Sequence, residues 1–402
     1  MVIKERVILV ITIGFVLGLI FALSENYLYF DKPSRSEENP IVFNEILNEI
    51  QSKYIDKVDY DVLIKSAVTG ILSDLDEHSE ILSADDYRQV KNSTKGMYTG
   101  IGITIYNNSN KGLIKVVNNQ SSAFVSGVRP GDEILMINGQ PIENLTFIEL
   151  SQLIKGQAGT NVKLVIKKVI TEEIMSLNLM RENIFSPSID TKILSSQYCY
   201  IKLDKFNNQT QVEINHDMNN ICLSKKSNIN VTRGLIIDIR NNPGGTLEGA
   251  VKVANLFLER GVIVSAKGRK NDSLFVHSAD ANDITKGLPI VIIVNKYSAS
   301  AAEIFAGAMQ DNNRAIIVGT STYGKGLIQT VIPLTDGSAI KLTTAQYFRP
   351  SGSPITKSGI RPDIVIKNTE SASKNDRDES IYEDLQLSEA INIMNNRLEY
   401  NH

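Results

Sequence analysis

A chain of 402 residues has room for two or three domains with cores of their own. Apolar residues make up 42% and charged residues 22%, the balance of a folded globular protein. Lys and Arg number 42 against 45 Asp and Glu, a net charge of -3, which excludes the basic surplus of a nucleic-acid binder and attachment to anionic lipid by charge alone.

The N-terminus comes first in chain order. Lys4 and Arg6 precede an uncharged run from Val7 to Leu23, just long enough for a spanning helix. Basic residues ahead of such a run stay inside, so the body is expected outside the cytoplasm, in the periplasm or at the cell exterior. An uncleaved anchor is the favoured reading over a signal peptide cut near Ala22-Leu23-Ser24. The segment 1–30 is therefore expected to be an anchor or signal followed by the start of a tether. Residues 31–95 read as tether and helical region, with Phe43, Ile46, Leu47 and Ile50 near a 3.6 period. That region is too short for a large core of its own and is expected to pack on another domain or a second copy.

From 96 to 182 the texture changes to short strands and turns. Gly100 to Ile105 alternates, Arg129-Pro130-Gly131-Asp132 is turn chemistry, and Asn138-Gly139 is a strong hairpin signal. From 183 to 366 strands and helices alternate. Gly234 to Arg240 and Leu288 to Val294 are nearly all apolar, as strands buried on both faces are. Helices are expected over 247–258 and 301–310, which makes this part a largely parallel α/β layer. Residues 367–402 read as a polar linker and a closing helix.

Three segments could carry chemistry. After the strand ending at Val294, Ser298-Ala299-Ser300-Ala301-Ala302 runs into a helix, and Ser300 with Glu303 has capping-box spacing. Ser300 either caps that helix or attacks a carbonyl, whose oxyanion free N–H groups at a helix start can hold. Gly319-x-x-x-x-Gly324-Lys325 matches most of a phosphate-binding loop. However, Gly326 stands where the magnesium-binding hydroxyl belongs, and a strand follows instead of a helix. Lys325 is then either exposed in a glycine turn or aimed into a cleft. Asn241-Asn242-Pro243-Gly244-Gly245 is a strand-to-helix turn that allows close approach to backbone N–H groups.

The 4 histidines, His78, His216, His277 and His402, are scattered, and no His-Glu-x-x-His helix exists, so neither a histidine triad nor a zinc peptidase is expected. Cys199 and Cys222 have no metal-ligand neighbours and read as buried thiols. A disulfide between them stays open, because sequence does not show whether they meet. No metal and no cofactor are expected.

Together these segments resemble the carboxyl-terminal processing, or tail-specific, proteases. The most specific portion is Ser298 to Asp311 joined to Gly319 to Gln329. Leu75-Asp76-Glu77-His78-Ser79 looks like the family's Leu-Asp-Pro-His-Ser signature, with Glu77 in place of the usual proline. Pro350-Ser351-Gly352 and Gly359 to Asp363 look like its closing motif, although Ser353-Pro354 departs from it, and Ala302 stands where many relatives carry a third serine. The resemblance implies a crotonase/Clp-protease-like α/β core (183–366), an inserted PDZ-like β domain (96–182) and an N-terminal helical region. It implies Ser300 as nucleophile, Lys325 as general base and Gln329 assisting it. It places the oxyanion hole at Gly244 or Gly245 with Ala301, gives Asp311 a supporting role, and makes Gly100, Ile101, Gly102 and Ile103 the loop that binds a substrate's terminal carboxylate. Implied partners are protein or peptide tails, the membrane through the N-terminus, and a homo-oligomer or adaptor; nucleic acid is not among them. The rival expectation is a catalytically silent PDZ scaffold at the membrane.

Overall fold

A computed structural model describes residues 39–106, 112–195, 197–223, 232–270, 274–280, 283–367 and 384–399. The anchor or signal, most of the tether, most of the polar linker and His402 lie outside these residues. Among the described residues no helix is long and apolar enough to cross a membrane.

The chain divides after Leu75 into two units. The first holds α1 (Asn39–Lys53) and α2 (Tyr60–Ser73), the latter begun by Asp59, whose side chain accepts the Asp61 N–H. Leu47 and Leu72 are buried, whereas Val42, Ile46, Ile55, Val62 and Ile71 remain exposed.

The second unit starts with β1 (Glu80–Leu82) and α3 (Ala84–Thr94), capped by Ser83. A small β-rich part follows: β2 (Met97–Gly100), β3 (Ile103–Ile105), β4 (Ile114–Val117), α4 (Ser122–Val125), β5 (Glu133–Ile137), β6 (Gln140–Pro141), α5 (Phe147–Ile154), β7 (Asn161–Lys167), β8 (Ile174–Met180) and β9 (Glu182–Phe185). Alternation in β7 puts Val162, Leu164 and Ile166 into a core shared with Ile114, Ile134 and Leu179. The alternating run Gly100 to Ile105 splits between two sheets: β2 pairs with β9 and β3 with β4, while Ile101 between them is fully buried.

The larger part contains β10 (Ile189–Leu194), β11 (Tyr198–Leu203), α6 (Thr210–Asp217) running into a single π turn (Met218–Cys222), β12 (Gly234–Asp238), α7 (Leu247–Asn255), β13 (Val262–Gly268), β14 (Phe275–Ser278) and β15 (Ile290–Val294). It continues with α8 (Ala301–Asp311), β16 (Ile316–Gly319), β17 (Leu327–Pro333), β18 (Ala339–Phe348), β19 (Ile364–Val365) and α9 (Leu385–Glu399). The main sheet has the order β10-β11-β12-β15-β16-β19, parallel except for the first pair. Its two faces explain the apolar runs. Ile237, Ile292 and Val294 pack with Ala250, Val253, Phe305 and Ala308 of α7 and α8. Ile236, Val291 and Ile293 pack on the other face with Ala390, Ile393 and Met394 of α9. A second sheet, β1-β18-β13-β14 with β17 on β18, is antiparallel.

The reading of two free buried thiols is corrected. A disulfide joins Cys199 on β11 to Cys222, with Cα atoms 5.3 Å apart. The π turn after α6 brings Cys222 into the core cluster that contains Cys199, a meeting that local sequence does not encode.

Candidate active site

In an open parallel sheet, loops at the carboxyl ends of the strands form the crevice. Here β12, β15 and β16 end in the three segments singled out by sequence, and hydrogen bonds interlock them. Asn241 N–H donates to Asn295 Oδ1 (3.0 Å), and Asn295 Nδ2 donates to Asn241 Oδ1 (2.8 Å). Ser298 Oγ donates to Ile239 O (2.8 Å), and Ala299 N–H donates to Asn242 O (3.0 Å).

Ser300 stands at the start of α8 with φ 54 and ψ -115. A side chain other than glycine adopts that backbone only under strain of about 1–3 kcal/mol, and such strain gathers at functional turns. Gly244 makes the turn's close approach feasible. Its φ is +102, and a Cβ there would sit 2.7 Å from Ala299 O and 2.9 Å from Ser300 Cβ.

Gly244 N–H donates to Asn242 Oδ1 at 2.8 Å, and its carbonyl accepts from Phe206 N–H at 2.8 Å. The trans peptide therefore turns the Gly245 N–H away from Phe206. Among the described residues, neither the Gly245 N–H nor the Ala301 N–H has an acceptor.

Lys325 lies on the loop between β16 and β17, half-buried in the wall of a 770 Å³ cavity. Asp76, Glu77, His78, Tyr323, Leu327, Gln346 and Ile355 also line it. Burial pulls the lysine's pKa below its usual value and Lys341 adds to this, while Glu80, Asp76 and Glu77 oppose it. No carboxylate among the described residues lies within ion-pair distance of the amine, and no hydrogen bond joins it to Ser300 Oγ. Gly324 (φ +93) lets the loop lie against Thr356 O, 2.4 Å from where a Cβ would be.

Glu303 is the residue whose reach the sequence did not reveal. Spacing showed only its capping partnership with Ser300, and that half is present, with Ser300 N–H donating to Glu303 Oε2 at 2.8 Å. The carboxylate is fully buried and also accepts Lys325 N–H (2.8 Å), Gly324 N–H (2.6 Å) and Thr322 Oγ1–H (2.6 Å). One side chain thus ties the serine loop to the lysine loop. Thr322 Oγ1 in turn accepts Ile360 N–H (2.7 Å), which anchors the closing motif.

Gln329 lies on β17 beside a bulge, with Nε2 buried and without a hydrogen-bond partner among the described residues. Asp311 is at the far end of α8. It accepts Arg349 Nε–H (3.1 Å) and Ser351 N–H (3.1 Å) and is also paired with Arg349 Nη2, so it ties the helix to Pro350-Ser351-Gly352. Asp76 folds its segment into a turn: Oδ1 accepts the His78 and Ser79 N–H groups (2.7 Å each), and Ser79 Oγ accepts Thr343 N–H (3.2 Å). Those bonds hold the Asp76 carboxyl below its usual value, against burial, which raises it. His216 is exposed beside Asp217, and His277 lies against Phe275. In the smaller part, the N–H groups of Ile101 and Gly102 have no acceptor among the described residues, and their carbonyls are taken by Ala123 and Asn118.

Three interlocked loops at the carboxyl edge of the main sheet accompany a small β domain, and comparison with known proteins supplies the class. Residues 197–366 match the model of peptidase family S41, and residues 113–168 match a PDZ domain. A carboxy-terminal-processing protease of Bartonella bacilliformis is 36% identical over 327 residues, 81% of this chain and 74% of its own. A CtpA-like serine protease of Staphylococcus aureus (strain COL) is 31% identical over 371 residues, covering 92% and 72%. An S41 protease structure from Bacteroides fragilis shares the fold, with a TM-score of 0.50 at 14% identity over 80% of this chain and 90% of its own. The chain belongs to the carboxy-terminal-processing serine proteases of peptidase family S41, carries a PDZ domain, and is a peptide hydrolase.

Proposed function

We propose that this protein is an extracytoplasmic endopeptidase that cuts proteins near their C-termini through a Ser300–Lys325 dyad, with the PDZ domain receiving the substrate tail. The carrying observation is the Glu303 carboxylate, which binds the backbones of Ser300, Gly324 and Lys325 at once. A helix cap alone does not require the last two bonds.

In this reading Ser300 Oγ attacks the peptide carbonyl and the neutral Lys325 amine takes its proton. Gly245 and Ala301 N–H groups receive the oxyanion. Gly244, the other glycine expected there, has its N–H committed to Asn242. The Lys325 ammonium then protonates the leaving amine; the regenerated Lys325 amine takes a proton from water, which attacks the acyl carbon, and the Lys325 ammonium returns a proton to Ser300 Oγ as the acid departs. Gln329 orients the amine, and Asp311 supports the closing motif from the end of α8. The PDZ domain adds the tail as a strand and holds its carboxylate on Gly100 to Ile103, where the N–H groups of Ile101 and Gly102 have no acceptor among the described residues. The core, a parallel sheet between α7–α8 and α9, fits the crotonase/Clp type.

The Cys199–Cys222 disulfide supports an oxidising compartment, and Val7 to Leu23 supports attachment to the membrane. The exposed apolar side chains of α1 support a second copy or an adaptor as partner.

The test uses the full chain in detergent as wild type, Ser300→Ala and Lys325→Ala. Each is incubated with an unfolded protein ending in apolar residues, and the fragments are read by mass spectrometry. Cleavage by wild type alone is expected; equal cleavage by all three would overturn the dyad.

A further inference from the structure

The turn at Asn241 to Gly245 is held from an unexpected direction. Arg240, at the exit of β12, places its guanidinium between two carboxylates. The Nε/Nη2 edge lies on Asp238, with Nε 3.0 Å from both oxygens and Nη2 2.5 Å from Oδ2. The Nη1/Nη2 edge lies on Asp384, at 2.8 Å and 2.7 Å. Nη1 also reaches Gln386 Oε1 at 3.2 Å. Side-chain exposures are 1% for Asp238, 13% for Arg240 and 36% for Asp384. Lys202 Nζ donates to Arg240 O (2.5 Å), and Tyr200 Oη donates to Asp238 Oδ2 (2.8 Å). Two fork-shaped contacts fix the plane of a guanidinium, where one leaves an edge free to swing.

Asp384 comes from the other end of the chain, beyond the residues matched to the peptidase family. It accepts the Leu387 N–H at the start of α9, whose apolar face is packed on the sheet. Arg240 sits between Ile239 and Asn241, whose bonds to Ser298 and Asn295 hold the serine loop.

We propose that Asp384 is a positioning residue: through Arg240, the C-terminal segment sets the turn that presents the Gly245 N–H to the oxyanion. This rests on the oxyanion-hole reading above. It makes the closing helix part of the catalytic support and not an appended tail.

The experiment compares full-length wild type, Asp384→Asn, Asp384→Glu and Lys325→Ala in detergent on one tail peptide, measuring kcat and KM. It also measures affinity for a peptide aldehyde, whose adduct with Ser300 needs the same N–H groups, and for the cleaved product peptide. Asp384→Asn is expected to lower kcat about tenfold, as loss of a charge-assisted pair does, with KM and product affinity unchanged. Aldehyde affinity should fall by the same factor, and Asp384→Glu should recover part of both. Unchanged kcat in Asp384→Asn, or a lower kcat with unchanged aldehyde affinity, overturns the proposal. A loss confined to the fraction of folded enzyme, found by titrating active sites, also overturns it. If Asp384→Asn fails to fold, Asp384→Glu is read alone: its displaced carboxylate must lower kcat and aldehyde affinity together, and wild-type values for both refute the role. Activity retained by Lys325→Ala would instead locate the error in the dyad.

Discussion

Replacing Glu303 by glutamine changes one atom in a fully buried side chain that accepts four hydrogens. An amide can accept on one side only. If its NH2 faces Ser300 and Lys325, two backbone N–H groups are left against a donor. Turned the other way, it opposes Gly324, while the Thr322 hydroxyl can rotate. In the better orientation one buried N–H is orphaned, at about 1–3 kcal/mol, and the remaining bonds lose their charge assistance. A total of about 3 kcal/mol follows, which as lost transition-state stabilisation is roughly a hundredfold in kcat/KM. The assay is cleavage of a tail peptide by Glu303→Gln, with a thermal melt to confirm folding. Activity within about threefold of wild type would refute the claim that this carboxylate sets the two loops.

Removing the charge of Lys341, the second cause of the lowered Lys325 pKa, should raise that pKa. Because the base works unprotonated, the rising limb of the pH–rate profile in Lys341→Gln moves to higher pH; an unmoved limb would contradict this. Gly244→Ala should fold but lose cleavage by at least about a hundredfold, since its Cβ meets Ala299 O and Ser300 Cβ at a left-handed backbone; kinetics and a melt together check this. Opening the disulfide by Cys199→Ser with Cys222→Ser should cost about 3 kcal/mol for a separation of 23 residues, lowering Tm by several degrees. An unchanged Tm would show that the bridge adds nothing.

Much of the molecule was legible because its signals are local. Continuous apolar runs marked β12 and β15, Asn138-Gly139 marked the β5–β6 hairpin, and small residues after Val294 marked the turn into α8. Helix α7 runs from Leu247 to Asn255 and α8 from Ala301 to Asp311, close to the extents expected for them. The resemblance named Ser300, Lys325 and Gln329, but it did not convey how their loops are joined. That depends on contacts between residues far apart in the chain. Glu303 looks like an ordinary capping residue until the lysine loop arrives over it. Asn242 looks like a turn former until its Oδ1 takes the Gly244 N–H and leaves the adjacent peptide to carry the free one. Cys199 and Cys222 pair only because a π turn lays one over the strand that holds the other. By itself, then, the sequence determined the buried strands β12 and β15, the helices α7 and α8, the Asn138-Gly139 turn and the kinds of chemistry each loop could bear, because periodicity, turn residues and capping act within a few residues. Only the tertiary structure decided which N–H groups stay free, which carboxylate binds both loops, and that Asp384 reaches Arg240 from the far end of the chain, because hydrogen-bond partners there are chosen by packing and not by spacing.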